Sequence, residues 1–191
     1  MYQTILNDAS FYRQLARFDE ELAEQARQKG CRCGGKLHRA LYPRKPRGVP
    51  EEAEEEYGRR WSFCCAEEGC RKRTTPASLR FLSNRVYAGA VVVLISALRN
   101  GITAERVRRL AGIVAEISRR TLERWRQWWL NEFPQTSFWR AACGRFAMPV
   151  DGTRLPLSLL ETFNPSRPQD RTLALLRFIL PLTTSSVVQE S

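Results

Sequence analysis

No apolar run in this sequence is long enough to cross a bilayer. The longest, Val86 to Leu98, has 13 residues and includes Ser96, against the roughly 18 to 20 that a span requires. It reads as a buried core helix, and no membrane partner is expected. A secretory leader is not expected either, because Met1 to Asp8 is polar and no apolar stretch follows a basic start. The default location is therefore cytoplasmic. In that reducing compartment, clustered cysteines serve more often as metal ligands than as disulfides. Internal repeats are absent, and histidine occurs once, at His38.

What the chain has is an ordinary globular composition with an unbalanced charge. Its 191 residues allow one domain or two small ones, and 43% hydrophobic with 27% charged residues is enough apolar matter for a core. Formal net charge is +11, which suits a polyanionic partner. Acids are scarce in one segment. From Arg71 to Arg126 there are thirteen Lys or Arg and only Glu105, Glu116 and Glu123 against them.

Four cysteines stand ahead of that segment, Cys31 and Cys33 as Cys-x-Cys and Cys65 and Cys70 as Cys-x4-Cys. A structural zinc ion wants four soft ligands held tetrahedrally, and thiolates on two tight turns supply them without a large core. Cys31-Arg32-Cys33-Gly34-Gly35 makes one such turn, its glycines relieving strain where backbone approaches sulfur. The second contains Cys64, Cys65 and Cys70. Neighbouring strand residues face opposite ways, so Cys64 and Cys65 do not both bind one ion. Cys65 is chosen, for its shorter loop to Cys70 carrying Gly69, and Cys64 is left as a core residue. His38 is read as a strand residue beside the basic patch, although it or Cys64 remains open as a replacement ligand. Cys143 stands alone and is expected to be buried.

The chain divides into four expected regions. Residues 1–30 contain an amphipathic helix from Ala9 to Lys29, with Phe11, Leu15, Phe18, Leu22 and Ala26 on its apolar stripe and Gly30 ending it. Residues 31–74 form a small β zinc ribbon with strands near Leu37–Tyr42 and Trp61–Cys65. Pro, Gly and the acids Glu51 to Glu56 predict a mobile 43–57 loop within it. Residues 75–133 form a helix-turn-helix region. A short helix over 75–82 is capped by Thr75, and then come Asn84–Arg99, Ala104–Ala111 and Arg119–Glu132, punctuated by Gly101, Thr103, Gly112 and Ser118. Residues 134–191 carry one or two short helices and a frayed tail from Thr183. The fold class expected is mostly α with a small β ribbon and a tri-helical core.

On the last of these helices, Leu122, Trp125, Trp129 and Phe133 fall within one face and predict a core contact. Arg120, Glu123, Arg124, Gln127 and Asn131 cluster opposite, a set of bidentate donors and amides suited to base edges in a major groove. Ser118 and Arg119 lie at the helix start, Arg106, Arg108 and Arg109 on the preceding helix, and Arg71, Lys72 and Arg73 directly after the last cysteine of the cluster. Such cations typically sit on phosphates and give salt-dependent affinity. The expected partner is double-stranded DNA.

Cys31 to Gly35, Cys65 to Arg73 and Ser118-Arg119-Arg120-Thr121-Leu122-Glu123-Arg124-Trp125 together resemble the zinc-ribbon and helix-turn-helix DNA-binding region of transposases from bacterial mobile elements. The resemblance covers roughly residues 31 to 130. It implies one structural zinc ion, a DNA-reading last helix, nucleoid association, and a transposase or other protein of a mobile element as a further partner. Catalysis is where the chain departs from it. Such transposases carry three metal-binding acids on a ribonuclease H type domain, whereas Asp151, Glu161 and Asp170 lie here in a proline-broken segment of about 60 residues. A non-catalytic accessory, targeting or regulatory factor is expected. The alternative is a protein adaptor that uses the ribbon and residues 134–182 as its interface, with loose nucleic-acid affinity only.

Overall fold

A computed structural model describes residues 2–82, 87–99, 117–163 and 167–184. The protein is mostly helical with small antiparallel sheets, and its chain forms two units. One comprises Met1–Asn7 with Ala90–Phe178, the other Asp8–Gly89 with Ile179–Ser191.

In the second unit the long helix α2 (Ala9–Lys29), which follows α1 (Tyr2–Leu6) in the chain, has the boundaries that the sequence predicts. Asp8 caps it by accepting the amides of Ser10 and Phe11 at 3.0 and 3.3 Å. Gly30, at φ 70, ends it. The stripe differs from the expected one. Phe11 and Leu15 are buried, but the rest of the inner face is Tyr12, Ala16, Asp19 and Ala23, while Phe18, Leu22 and Ala26 are half-buried. The face has turned because a carboxylate, Asp19, is drawn inward by a cation.

That cation is Arg80, whose Nε donates to Asp19 Oδ2 at 2.8 Å with both side chains buried. Asp19 also accepts the Leu79 amide at 2.6 Å and the Ser78 hydroxyl. The helix expected over 75–82 is absent for this reason. Ser78 Oγ accepts the amides of Arg80 and Phe81 at 3.2 and 3.1 Å, so side-chain acceptors take the amides that a helix would use.

A three-stranded antiparallel sheet follows α2, in the order β1 (Leu37–Arg39), β4 (Phe63–Cys65), β5 (Arg73–Thr74). A second pair joins β2 (Tyr42–Pro43) to β3 (Arg59–Arg60). Alternation puts Leu37, Phe63 and Cys65 on the inner side with Ala23 of α2, at 5% exposure or less. The 43–57 segment, expected to be a mobile loop, instead holds a 3-10 turn (Glu51–Ala53) and the helix α3 (Glu54–Tyr57). Ala53 and Tyr57, four residues apart, bury completely while most of the acids face water, and Arg13 of α2 pairs with Glu56 at 3.1 Å. The frayed tail does not begin at Thr183. That residue is buried, its Oγ1 accepting the Ser78 amide and its carbonyl the Arg60 guanidinium, both at 3.0 Å.

In the first unit α4 (Gly89–Arg99, with Gly89 at the unit boundary) is buried from Ala90 through Ala97, as an apolar-all-round helix must be. The expected helix Ala104–Ala111, with Arg106, Arg108 and Arg109, lies outside the described residues, as does Asn84. The helix α5 (Arg119–Gln127) continues as a π-turn over Trp128–Glu132. An aromatic core follows, in which Phe133 lies 5.1 Å from Trp129 and 5.0 Å from Trp139, and Phe178 lies 5.3 Å from Phe146. Two helices of the C-terminal part, α7 (Leu157–Thr162) and α8 (Pro168–Phe178), come after α6 (Ser137–Ala142) and bury Leu159, Leu160, Leu175 and Leu176.

Candidate metal centre and basic helix

The two cysteine turns meet beside β4. The turn after α2 is closed by two backbone bonds, Gly34 N–H to the Cys31 carbonyl at 2.8 Å and Cys31 N–H to the Gly35 carbonyl at 3.0 Å. Gly34 sits at φ 86, where a side chain would be strained. Gly35 is needed for a different reason: a Cβ there would lie 2.8 Å from Cys65 Sγ. The other turn is closed by the Cys70 and Arg71 amides, both donating to the Glu67 carbonyl at 3.0 Å.

These turns bring Cys31, Cys33, Cys65 and Cys70 together, with all four Sγ atoms within 4.8 Å of one another. Cys31 Sγ is 3.6 Å from Cys70 Sγ, and Cys33 Sγ is 3.5 Å from Cys65 Sγ. A disulfide needs about 2.05 Å, so the four are free thiols. Such a set could hold a metal ion, and among the described residues it is the group of metal-ligating side chains that converges. Cys64 and His38 stay out of it. They face each other across β1 and β4, on the side of the sheet away from Leu37 and Cys65. Cys64, expected to be a core residue, is half-buried and donates to the Arg71 carbonyl at 3.5 Å. Cys143, expected to be buried, is exposed at the end of α6, donating to the Arg140 carbonyl at 3.6 Å.

Three amides two residues beyond a cysteine point at its sulfur. The Cys33 amide, followed by the neighbouring thiols, holds Cys31 down to about 7. The Glu67 amide acts likewise on Cys65, but burial and the sulfurs of Cys33, Cys31 and Cys70 outweigh it and push that thiol up to about 12. Cys70 has the Lys72 amide in its favour and is still raised, chiefly by Cys33 and by burial. The arrangement can make one thiolate readily and resists several, since like charges this close disfavour one another. A bound cation removes that resistance. The residues that sequence reasoning missed here are the amide donors at positions 33, 67 and 72; they act through the backbone, so the sequence carries no signal for them.

No family model, curated protein or solved structure matches the chain.

On α5, Ser118 is the N-cap, accepting the Thr121 amide at 3.3 Å, which leaves its hydroxyl committed to the helix. Leu122, Trp125, Trp129 and Phe133 are buried at 9% exposure or less. Arg119, Arg120, Arg124 and Gln127 are exposed on the other side. Arg119 pairs with Glu123 at 2.9 Å, and Arg124 Nη2 donates to Thr121 Oγ1 at 3.2 Å, which holds its guanidinium along the helix. Arg71, Lys72 and Arg73 are exposed on the other unit. The three acids do not converge. Asp151 caps its own turn at Thr153, Glu161 pairs with Arg154 at 3.0 Å, and Asp170 with Arg167 at 2.8 Å.

Proposed function

We propose that this protein is a zinc-stabilised double-stranded DNA-binding factor that reads the major groove through the exposed side of α5. The observation that carries the reading is the two-sidedness of that helix: a fully engaged aromatic face and, opposite it, Arg120, Arg124 and Gln127 exposed to water. Arg and Gln are the side chains that pair bidentately with guanine and adenine edges. A net charge of +11 supplies the nonspecific term.

Zinc is the metal that best fits the cluster. At Zn–S distances of about 2.3 Å, tetrahedral sulfurs stand about 3.8 Å apart, close to the 3.5 and 3.6 Å between paired sulfurs here. Four thiolates with no open carboxylate or water position make a structural site rather than a catalytic one. The role is thus non-catalytic, that of an accessory, targeting or regulatory factor, and the motif resemblance points to a mobile element as its setting. The adaptor reading has less support, because Leu159, Leu160, Leu173, Leu175 and Leu176 of the C-terminal part are buried.

Selection of bound sequences from a random duplex pool with zinc-loaded protein tests the reading. One enriched motif that vanishes on chelation is expected. Binding with no enriched motif would overturn sequence-specific readout.

A further inference from the structure

The cysteine turn has a second feature that its metal does not account for. Between the C-terminal end of α2 and the edge strand β1 lies a cleft of about 450 Å³, whose lining includes Arg27, Lys29, Gly34, Lys36 and His38. From Arg27 to Pro50 the sequence has eight Lys or Arg and no acid. Lys36, directly before β1, and His38 on it flank buried Leu37 and are both exposed. The pairing register continues that row from His38 through half-buried Cys64 to exposed Arg73, so a strip with a cation at each end, Lys36 and Arg73, leads from the cleft across the sheet.

We propose that this cleft and strip form a contact for the phosphodiester backbone of nucleic acid, with Lys29 and Lys36 as its principal cations. The proposal rests on the nucleic-acid reading given above and adds a surface to it on the unit that does not hold α5. Arg27 is already bidentate to Glu24, at 2.9 and 2.8 Å, and contributes less. Lys29 and Lys36 are exposed, with no ion pair among the described residues. The cations are strung out rather than focused on one point, which suits a polyanion neutralised at several phosphates better than a single small anion. Gly34 lines the wall and faces open space, so a backbone can approach there without meeting a side chain.

A competing role for the same lysines is to offset the cluster, since a divalent ion on four thiolates leaves surplus negative charge. The experiment separates the two. Full-length, zinc-loaded protein is titrated against a labelled random duplex of about 20 base pairs and the matching single strand at several salt concentrations, with metal content measured on every variant. K29E/K36E is expected to keep its zinc, to bind the duplex about tenfold more weakly at low salt, and to lose about two from the salt slope. K29Q/K36Q is expected to shift in the same direction by less. R145E, an exposed cation of the other unit, is the control. Affinity within about twofold of the parent for both lysine variants, or loss of zinc from both, would overturn the cleft assignment. Failure of the parent itself to bind either nucleic acid would instead overturn the nucleic-acid reading. Loss of binding in R120A/R124A with none in K29E/K36E would leave α5 as the working surface and remove the cleft.

Discussion

Asp19 and Arg80 form a buried ion pair, Oδ2 to Nε at 2.8 Å, that fastens the middle of α2 to the chain just before α4. The guanidinium also lies over the rings of Phe81 and Tyr57, at 4.9 and 5.5 Å. Removing the carboxylate leaves a cation, a serine hydroxyl and an amide without their acceptor. Asp19→Ala is therefore expected to cost about 3 to 5 kcal/mol, read as a lowered urea midpoint, whereas Asp19→Asn keeps part of the hydrogen bonding and costs less. A change below about 1 kcal/mol for the alanine variant would show that the pair is not the anchor.

One equivalent of zinc is expected per chain, and Cys65→Ser should abolish its retention, since Cys65 is both a candidate ligand and part of the sheet's inner side. Chelation should disorder β1, β4 and β5 and change the fluorescence of Trp61, which stacks on Phe63 at 6.5 Å. Cys64→Ser, on the opposite side of the strand, should leave metal content unchanged. Equal loss from both variants would mean that the ligand assignment is wrong.

Gly34 and Gly35 should respond differently to alanine. Gly35→Ala places a methyl group 2.8 Å from Cys65 Sγ, and a ligand atom cannot move aside, so metal affinity should fall by about tenfold or more. Gly34→Ala meets open space but must hold φ near 86, at about 1 to 2 kcal/mol of stability with metal content intact. Competition with a chromogenic chelator measures the first, and urea unfolding the second.

On α5, Arg124→Ala is expected to weaken binding to a selected DNA site by about 1 to 3 kcal/mol while leaving stability unchanged. Trp125→Ala, at 4% exposure, should instead destabilise the first unit by about 3 to 5 kcal/mol. If Arg124→Ala left specific affinity untouched, the groove-facing side of the helix would be misassigned.

Much of the cysteine cluster is legible in the sequence, because strand alternation alone separates Cys64 from Cys65 and Cys-x-Cys forces a tight turn. The faces of α5 are legible too, since four large apolar residues at helical spacing leave few choices. Where the sequence misleads is in polarity taken for exposure. Asp19 looks like a surface acid, and the run Glu51 to Glu56 looks like solvated chain; yet one is buried by Arg80, and Ala53 and Tyr57 dock the other. The stretch from Arg27 to Pro50 hides its charge for the opposite reason. Over residues 1–70 twelve Lys or Arg are matched by twelve Asp or Glu lying before and after the stretch, so a sum over that window conceals it.

Cys33 and Cys65 are 32 positions apart and Cys31 and Cys70 are 39, so a metal ion bound by all four acts as a clasp on the unfolded chain. With the clasp closed, β1 and β4 are near neighbours along the effective chain, and the entropy of closing a long loop has been met before any sheet bond forms. The acidic helical excursion between them is then held at both ends, and Ala53 and Tyr57 have a short search to their buried positions. Without the ion the same strands must find each other across that whole separation, and folding of this unit becomes a slow search for non-local contacts.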